Sequence, residues 1–315
     1  MINLIKADLY KETRKRSFKV MLLLIIFVSI LYVCLINNGK EDISYVNESP
    51  LMNKEEYLSV NKYGSYEEYK KDYLSYQNEV SINNKLAVIN RSNKAKDVLD
   101  KSSIILYLLG LVIIFKAFHS FGQDYSFKTI RYVFQSSHSR ESILMSKIIS
   151  LILISLLYYI ISMFLLLITT CLLTNINVFG LKHVVYYSNS FIKIPYIIYY
   201  LRYFVFLLPI LFMIIFTTLL TILFKGNNIS LVISIIVYLF SITFFNIGIT
   251  HNIRILSYTF LPDLDMSYYL DINSFYLSNI VFNINNNLSN GVIILIIYSL
   301  IFLVVSFILY NRDVD

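Results

Sequence analysis

Apolar and polar positions alternate along the chain in long blocks, with six apolar stretches at residues 18–37, 103–121, 148–172, 203–224, 229–250 and 291–310. Each is 19 to 25 residues long, and about 20 apolar residues let a helix cross roughly 30 Å of hydrocarbon. Runs such as Met21 to Ile26 and Leu151 to Ile154 are apolar without interruption, which excludes the alternating pattern of a membrane β-barrel. Helices are then the means of satisfying the backbone in lipid. The pattern predicts an all-α integral membrane protein with six transmembrane helices.

Composition sharpens this reading. The 315 residues are 57% hydrophobic and 15% charged, against about 25% charged in soluble domains. That excludes an ordinary soluble enzyme and a disordered chain. The net charge of +7, from 27 basic and 20 acidic residues, raises the question of nucleic acid, and its distribution answers it. Lys6, Lys11, Arg14, Lys15, Arg16 and Lys19 flank the start of the first span. Lys128, Arg131, Arg140 and Lys147 lie between spans two and three, Lys225 follows span four, and Arg312 follows span six. Basic flanks mark the cytoplasmic side, so both termini are expected there, the second as a short tail at 311–315. The outward segments are then 38–102, 173–202 and 251–290. With Lys116 included, the inner side carries thirteen basic and six acidic groups, a net +7, and the outer side sums to zero. The charge reports topology, and no nucleic-acid partner is expected.

The basic start followed by an apolar run imitates a signal peptide, but no small-x-small site follows. The segment reads as a retained anchor. Trp is absent, and Tyr158, Tyr159, Tyr196, Tyr199, Tyr200 and Tyr203 are expected to form the interfacial aromatic belt. Cys34 and Cys171 lie near the outer ends of their spans, where a pair is geometrically conceivable, although two cysteines make no disulfide framework or zinc site.

What is missing bears on function. There is no GxxxxGK[ST] and no HExxH, so neither a P-loop nor that metal site is on this chain. His119, His138, His183 and His251 are scattered, and no metal site is expected. No Asp or Glu lies within a span, unlike ion-driven transporters. Apart from Lys19 at the very start of the first window, Lys116 is the one charge in an apolar window, about 8 Å from its inner end, and is expected to snorkel to the headgroups. Pro209 is expected to kink span four, with Thr217, Thr218 and Thr221 able to satisfy freed carbonyls.

Two inner elements have organised chemistry. In residues 1–17, Ile2, Ile5 and Leu9 share a helical face with Leu4 beside it, which predicts an amphipathic interfacial helix on membrane lipid. The segment 122–147 is too long for a turn and too polar for a span. Phe127, Ile130 and Phe134 recur at helical spacing, with Lys128, Arg131 and Gln135 pointing elsewhere, a docking surface for a soluble partner. Ser139 or Ser142 is expected to cap the helix that follows. On the outer side, Tyr63, Tyr66, Tyr69, Tyr73 and Tyr76 form a helical stripe within 38–102, and residues 83–101 are expected to form a second helix. The Asn-rich stretch with Asp263, Asp265 and Asp271 is too polar to span.

This layout resembles the type 2 ABC-transporter permeases. Their usual Glu-Tyr/Phe-x-x-Gly-Thr motif after span two is matched by Asp124, Tyr125 and Thr129, followed by Ser139, Arg140 and Lys147; the closing Arg312 and Asp313 resemble the family's ending. Lys128 stands where the family has Gly, and Asp124 replaces the commoner Glu. The resemblance implies an exporter permease in the bacterial plasma membrane, pairing with a second copy or paralogue and moving a peptide, drug or lipid-like substrate outward. It implies that a separate cytoplasmic ABC ATPase binds ATP and Mg, no cofactor being held on this chain, and docks on a coupling helix between spans two and three. Coupling roles carry over to Asp124, Tyr125, Thr129, Arg131, Arg140 and Glu141. The competing expectation is a non-transporting immunity or sensing subunit that binds a peptide through its outer loop.

Overall fold

The computed structural model describes residues 1–37, 94–102, 104–126, 139–187, 190–251, 258–266 and 288–312. Helix α1 (Ile2–Arg14) leads into α2 (Arg16–Asn37) through Lys15, whose extended ψ of 140° breaks the helix. A short α3 (Lys94–Ser102) precedes α4 (Ile104–Ser126), and α5 (Arg140–Thr174) is the longest helix, at 35 residues. Ser139 caps α5 by accepting a hydrogen bond from the Ser142 backbone N–H at 3.3 Å, which satisfies one orphan donor of the first turn. α5 therefore starts at Arg140, well before the apolar window at 148. The middle of the polar stretch 122–147, residues 127–138, lies outside the described residues, with Phe127, Thr129, Ile130, Arg131 and Phe134.

Beyond α5 the chain forms an element the sequence reading did not anticipate. Strands β1 (Lys182–Tyr187) and β2 (Ser190–Pro195) pair antiparallel, with Lys182 opposite Pro195 and Tyr187 opposite Ser190. Among the described residues the hairpin is the exception to a helical architecture. From Tyr196 the chain runs as α6 (Tyr196–Tyr200), a 3-10 stretch (Leu201–Phe206) and α7 (Leu207–Leu223). Pro209 falls just inside α7, at the change from 3-10 to α-helix, where its missing N–H is least felt. Below it, Thr218 and Thr221 donate at 2.7 Å to the Ile214 and Thr217 carbonyls of their own helix. α8 (Asn228–His251) and α9 (Leu288–Arg312) complete the bundle.

Among the described residues, five helical stretches are long and apolar enough to cross a membrane: Arg16–Asn37, Lys94–Tyr125, Arg140–Thr174, Tyr196–Leu223 and Leu288–Arg312. α8 coincides with the remaining apolar window. α4, α5 and α7 form the interior, with Leu106, Ile114, Leu144, Ile154, Leu166, Ile210, Met213 and Ile214 almost fully buried. α2 and α9 lie at the periphery and expose Leu23, Phe27, Leu35, Ile293, Leu300 and Val304. In water such a surface would drive aggregation; in a bilayer it meets acyl chains. The stretch Pro262–Leu264 folds back between α8 and α9, so Leu264 and Met266 are fully buried and Asp263 and Asp265 nearly so. The Tyr stripe and most of the outer segment 38–93 lie outside the described residues, as does Asp271.

One contact fixes α4 against α8. The Tyr107 hydroxyl donates to the Tyr238 carbonyl at 2.5 Å, and the Tyr238 hydroxyl donates to the Tyr107 carbonyl at 2.6 Å. The rings stack at 4.6 Å, and Ser241 Oγ joins the Tyr107 hydroxyl at 2.8 Å. Gly110 makes room for the clasp, since a Cβ there would overlap the Tyr238 phenol.

Candidate functional site

Among the described residues, the end of the bundle that carries α1 gathers the buried charged side chains Glu12, Lys116, Asp124 and Lys147. α1 turns Leu4, Ile5 and Leu9 inward together with Asp8 and Glu12, while Ile2, expected on the same face as Ile5 and Leu9, is exposed. Asp8 accepts a hydrogen bond from the Ser146 hydroxyl of α5 at 2.8 Å. Glu12 is 5% exposed and forms ion pairs with Lys15 at 2.5 Å and with Lys116 of α4 at 2.8 Å. Lys15 also donates to Gln123 of α4 at 3.2 Å. Lys116 therefore does not snorkel. It is 2% exposed, points into the bundle and lies 5.9 Å above the Phe18 ring. A buried ammonium needs an anion more than it needs headgroup water, and Glu12 provides one. Burial raises the Glu12 carboxyl pKa, yet the hydrogen bonds and charges of Lys116 and Lys15 outweigh it and hold the group below its ordinary value.

A second buried pair lies alongside. Lys147 of α5 donates to Asp124 of α4, and its ammonium sits 5.3 Å above the Phe121 ring. These two residues bracket the polar segment between α4 and α5, so the pair ties together the points where that segment leaves and rejoins the bundle. Tyr125, beside Asp124, supports the turn between α7 and α8. In that turn Lys225 and Gly226 have φ of 50° and 76°, and the Gly226 N–H closes α7 by donating to the Thr221 carbonyl at 2.8 Å. A Cβ on Gly226 would meet Tyr125 Cβ at 2.7 Å and the Gly122 carbonyl at 3.0 Å. Glycine is needed here for both its φ and its close approach. Arg140, the first residue of α5, donates to the Asn311 carbonyl near the end of α9 at 2.7 Å, and Glu141 is exposed in the same turn. Of the six residues expected to couple, the structure thus describes Asp124, Tyr125, Arg140 and Glu141 at one end of the bundle. Thr129 and Arg131 lie outside the described residues. Asp8, Glu12, Lys116 and Ser146 join that end although no motif marks them; the signal available was their polarity on otherwise apolar faces.

The opposite end is closed by aromatic and polar contacts. Asp100 of α3 accepts from the Tyr196 hydroxyl at 3.0 Å and the Tyr203 hydroxyl at 2.8 Å, with Arg202 3.7 Å away. The Arg202 guanidinium covers the Tyr199 ring at 3.6 Å. His183 of β1 stacks on Tyr199. Burial first, then the charges of Arg202 and Lys96, push its pKa down to about 3, so it is a neutral packing residue at physiological pH. Of the six tyrosines expected in an interfacial belt, Tyr158, Tyr159, Tyr196, Tyr200 and Tyr203 are buried in the bundle and Tyr199 is half-buried, which corrects that expectation for five of them. Their hydroxyls have protein partners instead: Tyr158 donates to the Phe18 carbonyl at 3.2 Å, and Tyr159 donates to the Tyr203 carbonyl. Cys34 and Cys171 are free thiols.

Long apolar helices around a buried core define a multi-pass membrane protein. Residues 2–313 match the family described as ABC-2 family transporter protein, and the chain belongs to that family. It is a permease membrane subunit; such permeases carry no ATPase of their own and typically work with an ATPase subunit. No curated protein and no solved structure matches the chain.

Proposed function

We propose that this chain is the membrane permease of an ABC exporter in the bacterial plasma membrane, driven by a separate ATPase that docks on the segment between α4 and α5. In this reading the chain crosses the membrane six times and the α1 end faces the cytoplasm. Two permeases work as a pair, and a peptide, drug or lipid-like substrate moves outward. The observation that carries it is the buried Asp124–Lys147 pair at the two ends of the docking segment. A push on that segment reaches α4 and α5 together, because the pair resists their separation. The Glu12–Lys116 contact extends the same rigid end to α1. ATP and Mg chemistry belongs to the partner, which supplies the motion, while this chain supplies the pathway.

Purification of the tagged full chain in mild detergent tests the proposal. A P-loop ATPase is expected in the purified complex, identified by mass spectrometry. Recovery without one, under conditions that keep other membrane complexes intact, overturns it.

A further inference from the structure

The first helix carries charges of both signs, and the fold sorts them. Asp8 and Glu12 turn toward the bundle, where Ser146, Lys15 and Lys116 satisfy them. Lys6, Lys11 and Arg14 are exposed, as are Arg16 and Lys19 at the start of α2. Among the described residues none of these five forms an ion pair with an acid. The outward face of α1 and the first turn of α2 therefore presents five cations and no exposed acid.

Apolar groups share that face. Met1, Ile2 and Tyr10 are 56%, 70% and 59% exposed, and the Arg14 guanidinium lies over the Tyr10 ring at 4.5 Å. Val20 and Leu23 of α2, both exposed, follow within a turn or so of Lys19. Cations, an aromatic tip and short apolar contacts thus occupy one level, directly beside a surface that needs acyl chains. Exposed Val20 and Leu23, which belong against acyl chains, continue this face, and that favours lipid over a soluble acidic protein. A surface at the boundary of headgroups and acyl chains uses both classes of side chain.

We propose that this face binds anionic phospholipid headgroups, with Lys6, Lys11 and Arg14 contacting phosphate and Tyr10 seated at the glycerol level. The acids that would balance the cations, Asp8 and Glu12, are turned into the bundle, so the face is selective for anionic lipid rather than merely amphipathic. Each cation near an anionic lipid surface is attracted to it, so a few of them suffice for selectivity.

The chain has no Trp, so Tyr10→Trp in the full-length protein places a single fluorophore on this face. The protein is reconstituted in vesicles of phosphatidylcholine and phosphatidylglycerol, with bromine on the acyl chains of one lipid or the other. We expect brominated phosphatidylglycerol to quench the fluorophore about threefold more than brominated phosphatidylcholine at equal mole fraction. The preference should vanish at about 1 M salt, where the Debye length falls to about 3 Å, and in a Lys6→Gln/Lys11→Gln/Arg14→Gln variant. Equal quenching by the two lipids at low salt overturns the proposal. Absence of quenching by either also overturns it, since the face would then lie off the bilayer or under a soluble partner. Should the triple variant fail to insert, the salt titration of the Tyr10→Trp protein decides alone.

Discussion

Glu12 of the first helix and Lys116 of α4 meet at 2.8 Å inside the bundle, with side chains 6% and 2% exposed. Removing one partner leaves the other charge buried with less compensation, which is far more harmful than removing both. Lys116→Met is therefore expected to lower stability by about 3 kcal/mol, read as a lower Tm in mild detergent. Adding Glu12→Gln to that variant should restore part of the loss. Strictly additive losses would show that the two groups do not interact.

The same carboxyl predicts a pH dependence. Its folded pKa lies below the ordinary value of 4.5, because Lys116 and Lys15 outweigh burial. Stability from this group is complete above the unfolded value and is lost as pH falls from there through the folded pKa. Between pH 6 and pH 3.5, Tm should fall more for the wild type than for Glu12→Gln. Parallel curves would contradict the assignment.

Gly110 and Tyr238 predict a packing effect. Gly110→Ala places a methyl against the phenol and should cost about 1–3 kcal/mol through overpacking. Tyr238→Phe removes one hydrogen bond to the Tyr107 carbonyl, and such bonds between membrane helices average about 0.6 kcal/mol. The glycine variant should thus be the less stable in a thermal melt, and combining it with Tyr238→Leu should recover stability. A milder effect of Gly110→Ala than of Tyr238→Phe would count against the clasp.

At the opposite end, Asp100 accepts from two buried tyrosines. Asp100→Ala strands both hydroxyls and should destabilise by about 1–3 kcal/mol, whereas Asp100→Asn keeps an acceptor and should lose less. Equal losses in the melt would mean that charge toward Arg202, rather than hydrogen bonding, is what matters.

The apolar blocks gave the helices away because lipid demands long uninterrupted runs, and the windows at 18–37, 229–250 and 291–310 differ from α2, α8 and α9 by only a few residues. Asp124 and Lys147 were visible as the ends of a short motif. Their mutual contact was not, since a motif carries order along the chain and no distance across it. Lys116 departs from its expected place for a related reason. Helical periodicity says which face a residue occupies, but not which neighbour covers that face, and a lysine near a helix end is as well suited to lipid headgroups as to a partner's carboxylate. Residue type places the tyrosines at the interface, whereas bundle carbonyls accept from Tyr158, Tyr159 and Tyr200, and Asp100 accepts from Tyr196 and Tyr203. The hairpin was legible in outline: His183 to Tyr187 is rich in β-branched and aromatic residues, and Ser188, Asn189 and Ser190 are turn formers. Its few residues were hidden by the far stronger helical pattern around them.

The proposed drive of this permease by a P-loop ATPase acts through the segment between α4 and α5. Incorporating a photoreactive amino acid at Arg131 in the intact chain, and irradiating living cells, tests it most directly. An adduct with a protein bearing GxxxxGK[ST] is expected from that position and not from Tyr69 in the outer segment. Adducts confined to lipid or to other copies of this chain, with the protein correctly inserted, would contradict it.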